Sequence, residues 1–158
     1  MKKYSEEDIL LELKKFKHKI EGQVKFHEVD SFRVVHNIQY FYFCEWARTK
    51  YLENCGVEFN KKTFTQHTPL MTVHHEMDYF HSLMLSDTYY TYTRCSKIGH
   101  SSINLDNIIL DESGRVVIKL NSTLVNVDIK DNKPATIPED LSNKLMVFEG
   151  INLENMVK

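Results

Sequence analysis

The feature that most constrains this chain is a long helix with a wide apolar face. The spacing predicts a helix over residues 37–55, with Asn37 as the N-cap and Gly56 at the C′ position that favours glycine. Arg48 falls inside the apolar arc, which predicts a structural ion pair for its guanidinium. The arc covers nearly half of the helical wheel and consists of Tyr40, Phe41, Phe43, Cys44, Ala47, Tyr51, Leu52 and Cys55. So wide an arc indicates a helix surrounded by other elements.

The residues that follow Pro69 change from a helical to an extended pattern. They are rich in β-branched and aromatic residues, which favour strands. We expect strands over residues 70–80, 87–99, 101–110 and 115–130, with a hairpin turn over residues 111–114. Several antiparallel strands and one buried helix predict an α+β fold in which a curved antiparallel sheet wraps the long helix.

The segments before and after this helix and sheet show different sequence patterns. Residues 5–20 show apolar spacing typical of an amphipathic helix, and residues 23–29 alternate like a short strand. We therefore divide the chain into an N-terminal amphipathic helix (1–21), a helix-and-sheet domain (22–138) and a C-terminal tail or terminal helix (139–158).

Composition excludes several classes of function. Lys and Arg number 20 against 22 Asp and Glu, and this formal net charge of −2 argues against nucleic-acid or anionic-membrane partners. Three scattered cysteines, Cys44, Cys55 and Cys95, form neither a disulfide framework nor a zinc motif. Acidic residues interrupt any signal-peptide core near the N-terminus, and no stretch approaches membrane-spanning length. We expect a protein of the reducing cytoplasm.

The histidine-rich run HHEMDYFH does not match a metal or nucleophile motif. Tyr79 stands where the second histidine of HExxH would be, and His74 and His75 face opposite sides of a strand. No GxSxG, GxGxxG or P-loop sequence is present. We therefore expect neither a metal nor an organic cofactor.

The loop before the long helix is the better candidate for chemistry. It presents Asp30 and, six residues later, His36 and Asn37 at the start of the helix. Free N–H groups and the positive end of the dipole at a helix start can polarise a carbonyl. A carboxylate nearby can activate water or attack directly.

Residues 26–56 resemble the signature of the 4-hydroxybenzoyl-CoA thioesterase family, which are hotdog-fold acyl-CoA thioesterases. The signature runs from an acid through two aliphatic residues and a His/Asn-type residue to a tyrosine and an E-x-A-R sequence. The matching residues here are Asp30, Val34, Val35, His36, Asn37, Tyr40 and residues 45–48. Asp78 with Tyr79, Asp87, residues 97–102 and Ile137 with Pro138 follow in family order, so the resemblance covers about residues 23–138.

The resemblance implies a hotdog thioesterase domain over residues 22–138 that forms a homodimer or homotetramer, with coenzyme A as part of the substrate. It implies that Asp30 is the general base or nucleophile and that His36 and Asn37 complete the catalytic set at the helix start. The substrate-binding residues that it suggests are Phe32, Arg33, Val35, Tyr40, Lys97 and Ser101. Lys61 and Lys62 are further candidates for the phosphates of coenzyme A.

Two departures from the family pattern leave alternatives open. Arg33 stands where the family commonly has glycine, and residues 80–82 replace a segment that usually contains proline. Some hotdog thioesterases carry the catalytic carboxylate on the central helix, where Glu45 is the candidate in this chain. A non-catalytic protein that binds acyl or aryl ligands, and a thioesterase acting on acyl carrier protein, are the alternative functions.

Overall fold

The computed structural model describes residues 4–60 and 70–150. The elements in chain order are α1 (Glu6–Leu13), β1 (His18–Gln23), a 3-10 turn (Phe26–Glu28), α2 (Gln39–Asn54), β2 (Leu70–Tyr79), β3 (Thr88–Ile98), β4 (Ser102–Asp111), β5 (Val116–Asp128), β6 (Lys133–Pro134) and α3 (Glu139–Glu149). None of the helices in the described ranges is long and apolar enough to cross a membrane.

The strands form one sheet in the order β1-β3-β4-β5-β2, with β6 paired to β5. The register of β1 against β3 is antiparallel and runs from His18 opposite Thr93 to Gln23 opposite Thr88. The four long strands lie within one or two residues of their predicted bounds, and Gly114, with a φ of +85°, closes the predicted turn between β4 and β5. The predicted α+β architecture is confirmed.

The chain divides into two compact units. One comprises Met1–Tyr51, Glu76–Arg94 and Asp106–Leu120, and the other comprises Leu52–His75, Cys95–Leu105 and Asn121–Lys158. The first unit contains the loop before α2 and the principal core. The division into residues 1–21, 22–138 and 139–158 stays a prediction.

The core of the first unit is built on the apolar arc of α2. Ala47 and Tyr51 are fully buried, and the ring of Phe43 stacks on Tyr89 at 4.4 Å between centroids. The buried members of this cluster are Val24, Val35, Tyr40, Phe43, Cys44, Leu83, Tyr89, Ile109, Val117, Ile118 and Leu120. The guanidinium of Arg48 lies 2.8 Å from the carboxylate of Glu45, so the predicted ion pair is confirmed.

Helix α1 covers the sheet face opposite to α2. Its one buried residue, Ile9, packs with Ile108 and Leu110 of β4, whereas Ile109 joins the α2 cluster. Because side chains alternate across a strand, β4 is buried on both faces. The unbroken run of buried positions from residue 105 to residue 111 agrees with this arrangement.

The prediction of a helix over residues 5–20 is wrong beyond Leu13. Residues 18–23 instead form β1, in which burial alternates as expected for a strand with one buried face. Ile20 fits both the helical and the strand period, and pairing with β3 decides between them. His18 is only 2% exposed, and its ring lies edge-on to Tyr51 at 5.7 Å.

The strand predicted over residues 23–29 is also wrong. Residues 26–28 form a 3-10 turn, in which a carboxylate oxygen of Glu28 accepts the N–H of Lys25 at 2.7 Å. A buried side chain that caps a turn competes with strand pairing, and the alternation of apolar residues does not reveal this.

Helices α2 and α3 are both followed by a glycine with a positive φ. Gly56 has a φ of +91°, and the N–H groups of Gly56 and Val57 donate to the carbonyls of Glu53 and Leu52, both at 2.9 Å. This is the Schellman pattern, and it confirms the predicted C′ glycine. In the region of the expected tail, α3 ends at Gly150, whose φ is +71°.

We expect stability to fall in mild acid because His18 is buried. Burial lowers the pKa of His18 below 6.5, although a hydrogen bond with the backbone of Ala47 opposes the shift. The unfolded chain therefore binds a proton that the folded chain resists, so this stability is present above pH 6.5 and is lost as the pH falls through the folded-state pKa. Urea unfolding at about pH 7 and about pH 5 should show a smaller loss for His18→Gln than for the parent. Equal losses would contradict this role.

Candidate active site

A cavity of about 340 Å³ lies where the loop before α2 meets the segment after β2. Its lining residues are Asp30, Val34, Val35, His36, Asn37, Tyr40, Tyr79, Phe80, His81 and Ser82. The structure thus brings together five of the predicted catalytic and substrate-binding residues, namely Asp30, Val35, His36, Asn37 and Tyr40.

The loop holds Asp30 half-buried and in one orientation. One carboxylate oxygen, Oδ1, accepts the N–H of Phe32 at 2.8 Å, and the backbone N–H of Asp30 donates to the carbonyl of Val34 at 2.9 Å. Val35 ties the loop to the core by donating to the carbonyl of Leu83 at 2.8 Å. Within residues 4–60 and 70–150, no donor contacts the second oxygen, Oδ2. That oxygen is available to a ligand or a water molecule.

Helix α2 begins at Gln39, so the prediction of Asn37 as its N-cap is wrong, and His36 closes the turn that leads into the helix. The Nδ1 atom of His36 accepts the N–H of Ile38 at 3.3 Å, and its carbonyl accepts the N–H of Gln39 at 2.8 Å. A histidine ring can accept this bond in its neutral form. The N–H of Asn37 has no acceptor in the described part of the chain.

Two tyrosines form one wall of the cavity. The hydroxyl of Tyr40 accepts the N–H of Leu83 at 3.1 Å, and the hydroxyl of Tyr79 donates to the carbonyl of Asn37 at 3.4 Å. Their rings lie edge to face at 5.9 Å. Burial raises the pKa of both phenols, so both stay protonated near neutral pH. Tyr40 therefore lines the cavity, and its hydroxyl holds the backbone of Leu83 in place.

The sequence predictions missed the contribution of residues 79–82 to this cavity. Asp78 and Tyr79, which follow the signature in the same order as in the family, indicated this part of the chain. The histidine run, however, was considered only as a metal-binding motif. Among the described residues, no three His, Cys, Asp or Glu side chains come together as a metal site.

Several residues proposed for substrate binding do not line the cavity. The side chain of Phe32 is 83% exposed, and Arg33, Lys97 and Ser101 are also absent from the lining. Lys97 is exposed on β3, and the carbonyl of Ser101 accepts the N–H of Asn126 at 2.8 Å. Lys61 and Lys62 lie outside the described residues. Glu45 is exposed and paired with Arg48, away from the lining residues.

Arg33 adopts a backbone conformation that favours glycine. Its φ is +65°, and its N–H donates to the carbonyl of Asp30 at 3.0 Å, which closes the loop. A side chain in this left-handed region costs about 1 kcal/mol, which gives a physical reason for the glycine of related sequences. The arginine side chain is exposed and does not line the cavity.

We expect Arg33→Gly to be at least as stable as the parent and Arg33→Val to be less stable by about 1 kcal/mol. Glycine removes the strain but adds freedom to the unfolded chain, whereas a β-branched residue increases the strain. Urea unfolding of the two variants would measure the difference. A valine variant as stable as the glycine variant would show that the positive φ has no cost.

A helix start and a carboxylate on one cavity, carried by a helix packed on an antiparallel sheet, are the features expected of the hotdog-fold thioesterases that the sequence resembles. Residues 24–145 match the sequence family described as the thioesterase-like superfamily. This match covers more than half of the chain, so the chain belongs to that superfamily, and the expected fold and enzyme class are confirmed.

Solved structures agree with this fold. The chain is 19% identical to a 1,4-dihydroxy-2-naphthoyl-CoA thioesterase from Synechocystis, with a TM-score of 0.75 over 81% of this chain and 94% of the other. It is 22% identical to a thioesterase from Thermus thermophilus complexed with coenzyme A and Zn, with a TM-score of 0.75 over 87% and 98%. A Staphylococcus aureus protein in complex with CoA is 13% identical, with a TM-score of 0.75 over 89% and 85%.

Proposed function

We propose that this chain is an acyl-CoA thioesterase of the 4-hydroxybenzoyl-CoA thioesterase type, which hydrolyses an acyl- or aryl-CoA to the free acid and CoA. The observation that carries the proposal is the cavity that joins Asp30 to the start of α2. Its volume of about 340 Å³ suits a thioester and part of its acyl group. The similar folds from Thermus thermophilus and Staphylococcus aureus were crystallised with coenzyme A, which supports this substrate class.

The proposed reaction uses the two ends of the cavity for different tasks. The thioester oxygen lies at the start of α2, where the N–H of Asn37 and the helix dipole stabilise the negative charge that develops on it. Asp30 takes a proton from water through its unpaired Oδ2 as the water oxygen attacks the carbonyl carbon. The C–S bond then breaks, and the CoA thiolate leaves and takes up the proton that Asp30 holds, which restores the carboxylate. Direct attack by Asp30, followed by hydrolysis of an anhydride, gives the same products.

The supporting residues keep this geometry in place. The ring of His36 accepts the N–H of Ile38, and the hydroxyl of Tyr79 donates to the carbonyl of Asn37, so the turn that leads into α2 is held from both sides. The side chain of Asn37 is exposed at the cavity and assists in orienting the thioester. The proposed reaction uses water, Asp30 and the start of α2, so it needs no metal or organic cofactor. Coenzyme A enters as part of the substrate.

We infer that the enzyme works as a homodimer or homotetramer in the cytoplasm. Strand β2 lies at an edge of the sheet, and its Met71 and Val73 are 49% and 59% exposed. An exposed apolar edge strand is a template for pairing with a second copy of the chain. Cys44, Cys55 and Cys95 are buried and are not joined in disulfides, as suits a reducing compartment.

Thiol release from a panel of thioesters tests the proposed function. Aliphatic and aromatic acyl-CoA esters and the same acyl groups on acyl carrier protein would be compared by kcat/KM. We expect CoA esters to be preferred. A preference for the carrier protein would replace the proposed substrate, and binding of acyl-CoA without thiol release would favour a ligand-binding protein instead.

A further inference from the structure

One ionisable side chain of the cavity has no part in the proposed reaction. His81 belongs to the cavity lining, and its Nε2 atom lies 3.2 Å from a carboxylate oxygen of Glu6 in α1. Glu6 is far from the cavity in sequence, and α1 covers the sheet face opposite to α2. An acid from that helix therefore reaches a residue of the candidate active site.

The segment that carries His81 is held on both sides. The N–H groups of Phe80 and His81 both donate to the carbonyl of Val117 in β5, at 2.8 and 3.3 Å. The ring of Phe80 packs against the cluster around Ile9 of α1. The backbone of His81 is thus fixed by the sheet, and its neighbour is fixed by α1.

Helix α1 is itself anchored, so Glu6 occupies a defined position. Ser5 and Asp8 form a reciprocal capping box, in which the N–H of Asp8 donates to the hydroxyl of Ser5 at 3.1 Å and the N–H of Ser5 donates to the carboxylate of Asp8 at 3.2 Å. Burial of Ile9 and an ion pair between Glu12 and the buried Lys119 hold the rest of the helix. Glu7, in the same turn, is exposed, and its side chain makes no hydrogen bond or ion pair with any described residue.

We propose that His81 contacts the bound substrate and that Glu6 is its positioning residue. A carboxylate on one ring nitrogen fixes the proton there and leaves the other nitrogen as an acceptor. In the described part of the chain, Nδ1 of His81 makes no hydrogen bond. It accepts a hydrogen bond from a donor group of the acyl-CoA, either in the pantetheine arm or on the acyl chain. This inference rests on the proposed function and adds α1 to the active site.

Matched variants of the two acids in α1 test the positioning role. We expect kcat/KM to fall about tenfold in Glu6→Ala, as for loss of one hydrogen bond, and to change less than about twofold in Glu7→Ala. Glu6→Gln keeps an acceptor and should recover most of the activity. The midpoint of urea unfolding should stay the same in all three, because the Glu6 pair is partly exposed. Equal losses of kcat/KM in the two alanine variants would overturn the proposal.

A double-mutant cycle shows whether Glu6 acts through His81. His81→Asn should lower kcat/KM at least as much as Glu6→Ala, and adding Glu6→Ala to it should cause no further loss. Additive losses would overturn the positioning role. The loss in His81→Asn would be compared between a plain and a hydroxylated acyl-CoA. A loss on both places the contact on the pantetheine arm, and a loss confined to the hydroxylated substrate places it on the acyl chain.

A binding and a spectroscopic measurement separate this inference from the proposed function. If the parent releases no thiol, the proposed function fails, and the inference is then tested by the Kd of a thioether analogue of acyl-CoA, which Glu6→Ala should raise about tenfold and Glu7→Ala should not. The ring ¹⁵N shifts of His81 should report a proton on Nε2 in the parent and a mixture of tautomers in Glu6→Ala. Unchanged shifts in Glu6→Ala would overturn the pairing.

Discussion

Asp30→Asn should lower kcat by about three decades while leaving the fold intact. The amide cannot accept the proton of the attacking water, and removal of a general base costs about 10²- to 10⁴-fold. The turn should survive, because the amide oxygen can still accept the N–H of Phe32 that Oδ1 accepts at 2.8 Å in the parent. Thiol release under saturating substrate would give kcat, and urea unfolding would confirm the stability.

Asp87→Asn is a matched control for this experiment. Asp87 also accepts a backbone N–H in a tight turn, from Met84 at 2.8 Å, but it does not line the cavity. The same chemical change there should leave kcat within about twofold, since it removes no group from the reaction. If Asp30→Asn retained the turnover of Asp87→Asn, Asp30 would not be the base or nucleophile.

Glu12→Ala should lower the free energy of unfolding by about 2–3 kcal/mol, the largest stability effect that we expect. Lys119 lies on β5 with its side chain 2% exposed, and its ammonium contacts the carboxylate of Glu12 and the ring of Tyr4. Removing the carboxylate would leave a buried ammonium without its partner charge. Because Glu12 is 25% exposed, water reaches the site, and the expected loss lies at the low end for a broken buried pair.

A double replacement distinguishes the ion pair from simple packing. Lys119→Met combined with Glu12→Leu removes both charges and keeps apolar volume, and it should restore stability to within about 1 kcal/mol of the parent. Urea unfolding would measure both variants. If the double variant were as unstable as Glu12→Ala, loss of packing by Glu12 rather than an unpaired charge would explain the effect.

The long helix and the sheet were predictable because their patterns are local and strong. The apolar arc of α2 and the glycine at position 56 follow from the helical period and from the need for a positive φ. The order of the strands cannot be predicted from such local patterns. In particular, residues 18–20 of β1 were predicted as the end of a helix, and they form a strand by pairing with β3.

The candidate site was predictable to the extent that it lies in one continuous stretch. Asp30, His36 and Asn37 fall within eight residues, and the resemblance marked them together. The opposite wall, formed by residues 79–82, comes from a distant part of the chain and depends on how β2 ends against Val117. The pairing of Glu6 with His81 spans a still longer distance in sequence, and no periodicity in either segment indicates it.

A crystal structure with a non-hydrolysable ketone analogue of acyl-CoA, in which a methylene group replaces the thioester sulfur, tests the central claim most directly. The proposed reaction predicts that the carbonyl oxygen accepts the N–H of Asn37 within about 3.2 Å, and that Oδ2 of Asp30 lies within about 3.5 Å of the carbonyl carbon or of a water beside it. A carbonyl bound beside Glu45, or one bound without contact to Asp30, would contradict the account.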